Sequence, residues 1–127
     1  MKMNTYIAGV GMTRFGKHLD RSLKSLVAEA VGSALKDANL ESFQIEAAYM
    51  GNGAGGVIQG QEMISGQVAL RGMGIGQIPV INIENACATS SSAFQQASMM
   101  VSLGAYDIVL VCGFEKLFHE DKKRTFS

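Results

Sequence analysis

Tryptophan is absent from this 127-residue chain, proline occurs once and cysteine twice, and eleven basic residues are balanced by eleven acidic ones. Each scarcity excludes something. Zero formal net charge gives no electrostatic footprint for nucleic acid or an anionic membrane surface. With no Trp, three Tyr and six Phe, there are few platforms on which bases stack. Two cysteines are too few for a disulfide framework, so reduced thiols in a cytosol-like compartment are expected. The opening "MKMNTYIAGV" has neither a long apolar stretch nor a signal-cleavage pattern, which argues against secretion and for a cytoplasmic location. No apolar stretch reaches 18 residues, so no membrane span is expected.

What is present is apolar residues at 47%, charged residues at 17% and fifteen glycines. That composition suits a folded chain, and a chain this long buries roughly two-thirds of its unfolded surface. One domain over residues 1–127 is expected, with no repeat or linker. Four apolar stretches read as strands: Tyr6–Val10, Ile45–Gly51, Pro79–Ile83 and Asp107–Gly113. Pro79 is tolerated at a strand's first residue, where its missing N–H need not join the ladder. Between them lie helical spacings. Leu23, Leu26, Val27, Ala30, Val31, Ala34, Leu35 and Ala38 form one face, with Asp20 or Ser22 as the starting cap and Asn39 as the left-handed stop. Residues 61–71 carry a weaker pattern that Gly72 ends, and residues 87–103 a clearer one that Gly104 ends. The order is β-α-β-α-β-α-β. Nearly continuous apolar strands alternating with helices predict an α/β fold, a mostly parallel sheet covered on both faces. The charged tail "HEDKKRTFS" belongs to no element and is expected to be solvated.

The candidate functional residue lies in "INIENACATSSSAFQQA", residues 81–97. Cys87 follows the third strand and opens the third helix. In a parallel α/β sheet, sites gather at the carboxyl ends of strands. There the helix N-terminus offers free N–H groups and a positive dipole end. Both favour thiolate over thiol, and the same N–H groups suit a developing oxyanion. The competing reading is packing, since free cysteine is among the most buried residue types. For Cys112, inside an apolar strand, packing is the better reading.

Three blocks resemble the thiolase superfamily, and within it the sterol-carrier-protein type. "NIENACATSSSAF" resembles the family's nucleophile segment. "IAGVGMTRFGK" resembles its amino-terminal strand and loop. "LGAYDIVLVCGFEKL" is similar to the strand after the nucleophile helix, with Leu117 where a Met is usual. They stand in family order and span almost the whole chain. The resemblance implies a thiolase-like half in which Cys87 takes an acyl group from an acyl-coenzyme A as a thioester, for carbon–carbon bond cleavage or formation in lipid metabolism. It implies that the N–H of Cys87 forms part of an oxyanion hole, that coenzyme A thioester is substrate with no tightly bound cofactor, and that copies pair through Val80–Glu84. A thiolase has two similar halves, and only the first is matched. The base histidine and second catalytic cysteine belong to the other half. His18 and His119 lie in no matching motif and read as ordinary surface residues, and Cys112 is not the second cysteine. The chain alone is therefore not expected to run the full cycle. It is a fragment, a subunit of a split enzyme, or an inactive homologue that serves as an interaction module. Its expected partners are a complementary thiolase half or further copies of itself. A β-ketoacyl synthase-like condensing enzyme fragment is the alternative within the fold, and "NACAT" and "GFEK" favour thiolase over it.

"GNGAGG" places Gly51, Gly53 and Gly56 as G-x-G-x-x-G. The loop follows the second strand rather than the first, and residues 71–79 carry no acid, so the dinucleotide reading fails its context. A coenzyme A phosphate contact there stays open. Thr89–Ser92 has no G-x-S-x-G elbow around it, and no Cys or His spacing suits a metal.

Overall fold

The computed structural model describes residues 2–124. Three strands, β1 (Ala47–Gly51), β2 (Val80–Ile83) and β3 (Val109–Gly113), form a parallel sheet in the order β2-β1-β3. Ala48 pairs with Val80 on one side of β1 and with Leu110 on the other. As the central strand, β1 is buried along its whole length. Alternation along β1 divides the core. Ala48 and Met50 face one cluster, with Val27 and Val31 of α1 (Leu23–Ala38) and Ala69 and Leu70 of α3 (Ser65–Arg71). Ala47 and Tyr49 face the other, with Ala93 and Ala97 of α4 (Thr89–Ser102). The three-layer α/β arrangement with helices on both faces is thus as the sequence predicts. No helix among the described residues is long and apolar enough to cross a membrane.

Local signals set several boundaries. Ser22, not Asp20, caps α1, its Oγ accepting from Ser25 N–H at 3.1 Å. Asn39 takes the left-handed conformation (φ 55°, ψ 44°) and returns its N–H to Leu35 and Lys36 carbonyls. Gly104 turns the chain after α4 with φ 79°.

Three expectations need correction. The apolar stretch Tyr6–Val10 is not a strand, so the sheet has three strands among the described residues rather than four. Tyr6 is 92% exposed and Ile7 68%. No backbone hydrogen bond joins residues 2–11 to the sheet. The segment instead lies against helices. Asn4 N–H donates to Ser102 Oγ at 2.8 Å and Val10 N–H to Asp37 Oδ2 at 2.9 Å. A Cβ at Gly9 or Gly11 would come within 2.6 Å of α1 backbone atoms, so these glycines bring the segment onto the helix. Second, the end of "GNGAGG" is not loop: Gly55 opens a short helix, α2 (Gly55–Gln59), which a left-handed Gly60 stops. Third, the helix expected over 61–71 begins only at Ser65, after Ile64 at φ 47°. Of the tail, residues 121–124 form a turn, and 125–127 lie outside the described residues.

Leu70 is fully buried between α1 and β1. Leu70→Ala is expected to cost about 2–5 kcal/mol, read as a fall in urea midpoint with unchanged slope. Lys24→Ala on the polar side of α1 is expected to stay within about 0.5 kcal/mol.

Candidate functional site

The C-terminal ends of the three strands meet the start of α4, and there the chain makes a tight elbow. β2 ends at Ile83, and a single 3₁₀ turn, Ala86–Ala88, carries Cys87 into α4. Helix α4 therefore begins two residues after Cys87, not at it. The elbow is held by its own polar side chains. Glu84 Oε1 accepts from Ala86 N–H at 2.9 Å. Thr89 Oγ1 accepts from Asn85 N–H at 2.8 Å and donates to the Ala86 carbonyl at 2.7 Å. Asn85 Nδ2 donates to Ser92 Oγ at 2.9 Å. The hydroxyls after the cysteine thus shape the turn, as hydroxyls near a helix start commonly do. Thr89, 6% exposed, is the buried polar residue of the described core. Ala86 sits at φ 46°, a conformation that strains residues other than glycine and is often found at functional sites.

Two glycines bring the elbow onto the sheet. A Cβ on Gly51, the last residue of β1, would stand 2.8 Å from Thr89 Cγ2, and one on Gly113, the last of β3, would run into Ser90 Oγ. Beside this junction lies an open cleft of about 430 Å³. Cys87 lines it, with Met12 and Phe15 of the N-terminal segment, Leu26 and Val27 of α1, and Phe114. Cys87 is exposed and free, whereas Cys112 is free and buried. Burial pushes the Cys112 thiol from an ordinary 9.0 up to about 11. It packs in the core, as its strand position predicts.

His18 also lines the cleft, which its sequence context does not signal. Its Nε2 lies 2.6 Å from the Arg14 carbonyl oxygen, so one ring nitrogen is engaged within its own loop. The Nδ1 of His119 accepts from Asp121 N–H at 3.0 Å. Among the described residues, no group of three or more His, Cys, Asp or Glu is placed to hold a metal.

The glycine loop after β1 holds a carboxylate from this chain. Glu115 Oε2 accepts from Gly53 N–H at 3.1 Å and Ala54 N–H at 3.2 Å, and Oε1 accepts from Gly55 N–H. Asn52 Oδ1 accepts from Gly56 N–H at 2.8 Å. The N–H groups that a phosphate would use are already engaged, which removes the reason for placing coenzyme A's phosphates there. Glu115, which also lines the cleft, was not singled out by sequence reasoning. Its one signal is that it belongs to the "GFEK" turn.

Residues 5–126 match the family described as thiolase, N-terminal domain. The chain belongs to the thiolase family. It is 40% identical over 111 residues to acetyl-CoA acetyltransferase of Methanocaldococcus jannaschii, covering 87% of this chain and 28% of that protein. It is 36% identical over 119 residues to sterol carrier protein 2 of Gallus gallus, covering 92% of this chain and 21% of that one. It thus spans less than a third of the length of either relative. The 3-oxoacyl-[acyl-carrier-protein] synthase III of Aquifex aeolicus superposes with a TM-score of 0.67 at 20% identity, over 77% of this chain and 31% of that one. That likeness extends the thiolase-like fold to condensing enzymes without separating their chemistries.

At pH 8 the Cys112 thiol, raised to about 11 and buried, is about one part in a thousand thiolate. Brief iodoacetamide treatment is expected to label Cys87 and to reach Cys112 only on unfolding, as read by peptide mass mapping. The unfolded chain also loses the Cys112 proton at lower pH than the folded one. Stability is therefore expected to fall as pH rises from about 9 to about 11, by about 2–3 kcal/mol in all. Cys112→Ala is expected to flatten that dependence in urea titrations. At the elbow, Ala86→Gly is expected to leave stability within about 1 kcal/mol. Ala86→Val, β-branched at a left-handed position, is expected to lose about 1–3 kcal/mol by thermal melting.

Proposed function

We propose that this chain provides the acyl-accepting part of a thiolase-type acyltransferase, with Cys87 as the nucleophile. The observation that carries the reading is the exposed Cys87 on a strained, hydrogen-bonded elbow at the strand ends, facing a cleft, in a chain whose residues 5–126 match the thiolase amino-terminal domain. The Cys87 sulfur attacks the carbonyl carbon of an acyl-coenzyme A. A new carbon–sulfur bond forms, the bond to coenzyme A breaks, and the proton from Cys87 leaves on the coenzyme A thiol. The backbone N–H of Cys87 is assigned to the developing oxyanion. Coenzyme A thioester is substrate in this scheme, and no resident cofactor is required.

The same reading makes this a part of a larger enzyme. The carbon–carbon bond step needs a general base and acid, typically worth ~10²–10⁴-fold in rate. Neither His18 nor His119 is assigned to it. Those groups are assigned to a complementary half, in the same longer protein or in a second chain. The exposed Tyr6, Ile7, Val10 and Phe15 and the exposed edges of a three-stranded sheet suit association with such a half or with another copy. The same surfaces suit an interaction module that lacks chemistry, and this is the second reading.

Intact-mass analysis after incubation with acetyl-coenzyme A separates the two. An acetyl adduct that forms on the wild type and vanishes in Cys87→Ala is the expected outcome. A folded wild-type protein that stays unmodified across pH 5 to 9, or an adduct that persists in Cys87→Ala, would overturn the assignment of Cys87 and move the interaction module ahead.

A further inference from the structure

Glu115 stands apart from every other charged residue near the elbow in how it is held. Three consecutive backbone N–H groups, of Gly53, Ala54 and Gly55, point to one carboxylate more than 50 residues away in sequence. Bonds to an ionised acceptor are roughly twice as strong as neutral ones. The glycines make the cradle: a Cβ at Gly53 would lie 2.8 Å from Oε2, and one at Gly55 would displace Oε1. Asn52 adds a second tie, its Nδ2 donating to the Phe114 carbonyl at 2.6 Å.

The tied segments are the ones that carry the elbow. Asn52 directly follows Gly51, and Glu115 stands two residues after Gly113. Gly51 and Gly113 are the strand ends on which Thr89 and Ser90 rest. Phe114 N–H donates to the Gly51 carbonyl at 2.9 Å, and Asn52 N–H to the Ile83 carbonyl at 3.2 Å. Ile83 immediately precedes Glu84, whose carboxylate fixes Ala86. A continuous set of bonds thus runs from Glu115 through three strand ends to the residue before Cys87. Glu115 and Cys87 line the same cleft.

We propose that Glu115 is a positioning residue for Cys87. Its carboxylate locks the ends of β1 and β3 under the first turn of α4, and through them holds the thiol in its elbow. The proposal rests on the reading of Cys87 as acyl acceptor. Glu115 acts through the backbone and does not touch the reacting atoms. Neutralising it leaves the sheet's core contacts in place and loosens the strand ends alone.

The test uses the full chain as wild type, Glu115→Gln and Glu115→Ala. In the wild type, the amide resonances of Gly53, Ala54 and Gly55 are expected to move together with pH, following one carboxylate, and Glu115→Gln abolishes that shared titration. For Cys87, the iodoacetamide rate is followed from pH 5 to 9. In both variants the rate at pH 7 is expected to fall about 3- to 10-fold as the thiol loses its fixed place in the elbow. Formate is expected to enter the vacated cradle of Glu115→Ala and restore the rate in part, which a lost packing contact would not allow. Amides that titrate independently, or a Cys87 profile within twofold of wild type in folded variants, would overturn the proposal. If Glu115→Ala does not fold, Glu115→Gln and the wild-type titration still decide. The two readings fail separately. A wild type that takes no acetyl group, yet whose alkylation profile shifts in Glu115→Gln, removes the acyl-acceptor role and keeps the latch. Equal acetylation of all three proteins removes the latch and keeps the acyl-acceptor role.

Discussion

The first turn of α4 rests directly on the last residues of β1 and β3, and that approach is open only because both are glycine. A Cβ at Gly51 would press on Thr89 Cγ2 and one at Gly113 on Ser90 Oγ, so these side chains would have to turn or the helix shift. Any change at Thr89 would reach the elbow, since Thr89 bonds both Asn85 and Ala86. The position of Cys87 therefore depends on two side chains that are absent. Ala93 and Ala97 continue the same close approach further along the helix.

Around that contact the molecule divides its labour by stiffness. The sheet and the two core clusters are made of buried aliphatic side chains, with β1 sealed on both faces. Close packing of this kind resists displacement. The elbow above it is exposed and is held by hydrogen bonds among Glu84, Asn85, Thr89 and Ser92. The role proposed for Cys87 draws on this combination: a fixed base beneath it and open access above it. Cys112 shows the opposite outcome for the same residue type, buried in the core with its thiol pushed up.

The glycine loop shows how one sequence pattern serves different physics. Runs of backbone N–H groups near a helix start accept anions in general. Here the anion is Glu115 of the same chain, and the loop's binding capacity is turned inward to join two strand ends. The G-x-G-x-x-G spelling is real, and its N–H groups are taken up by a carboxylate of the same chain.

How much of this the sequence determined follows from the range of each interaction. Helix α1 was legible with its Ser22 and Asn39 caps, because periodicity and capping are local. The strands β1, β2 and β3 were legible as apolar stretches bounded by glycine, proline or acid. Cys87 was legible as a candidate from its place between strand and helix and from its motif. Tyr6–Val10 carries the same local signal as those strands, yet it remains exposed and unpaired. A strand is defined by its neighbour, and no stretch of sequence states which neighbour it will have. The Glu115 cradle was hidden for the same reason, since its partners are joined only when β1 and β3 pair. Composition, periodicity and caps are short-range and fixed by the chain itself; sheet membership, the seating of α4 on Gly51 and Gly113, and the capture of Glu115 are contacts between distant segments, and only the tertiary fold brings them together.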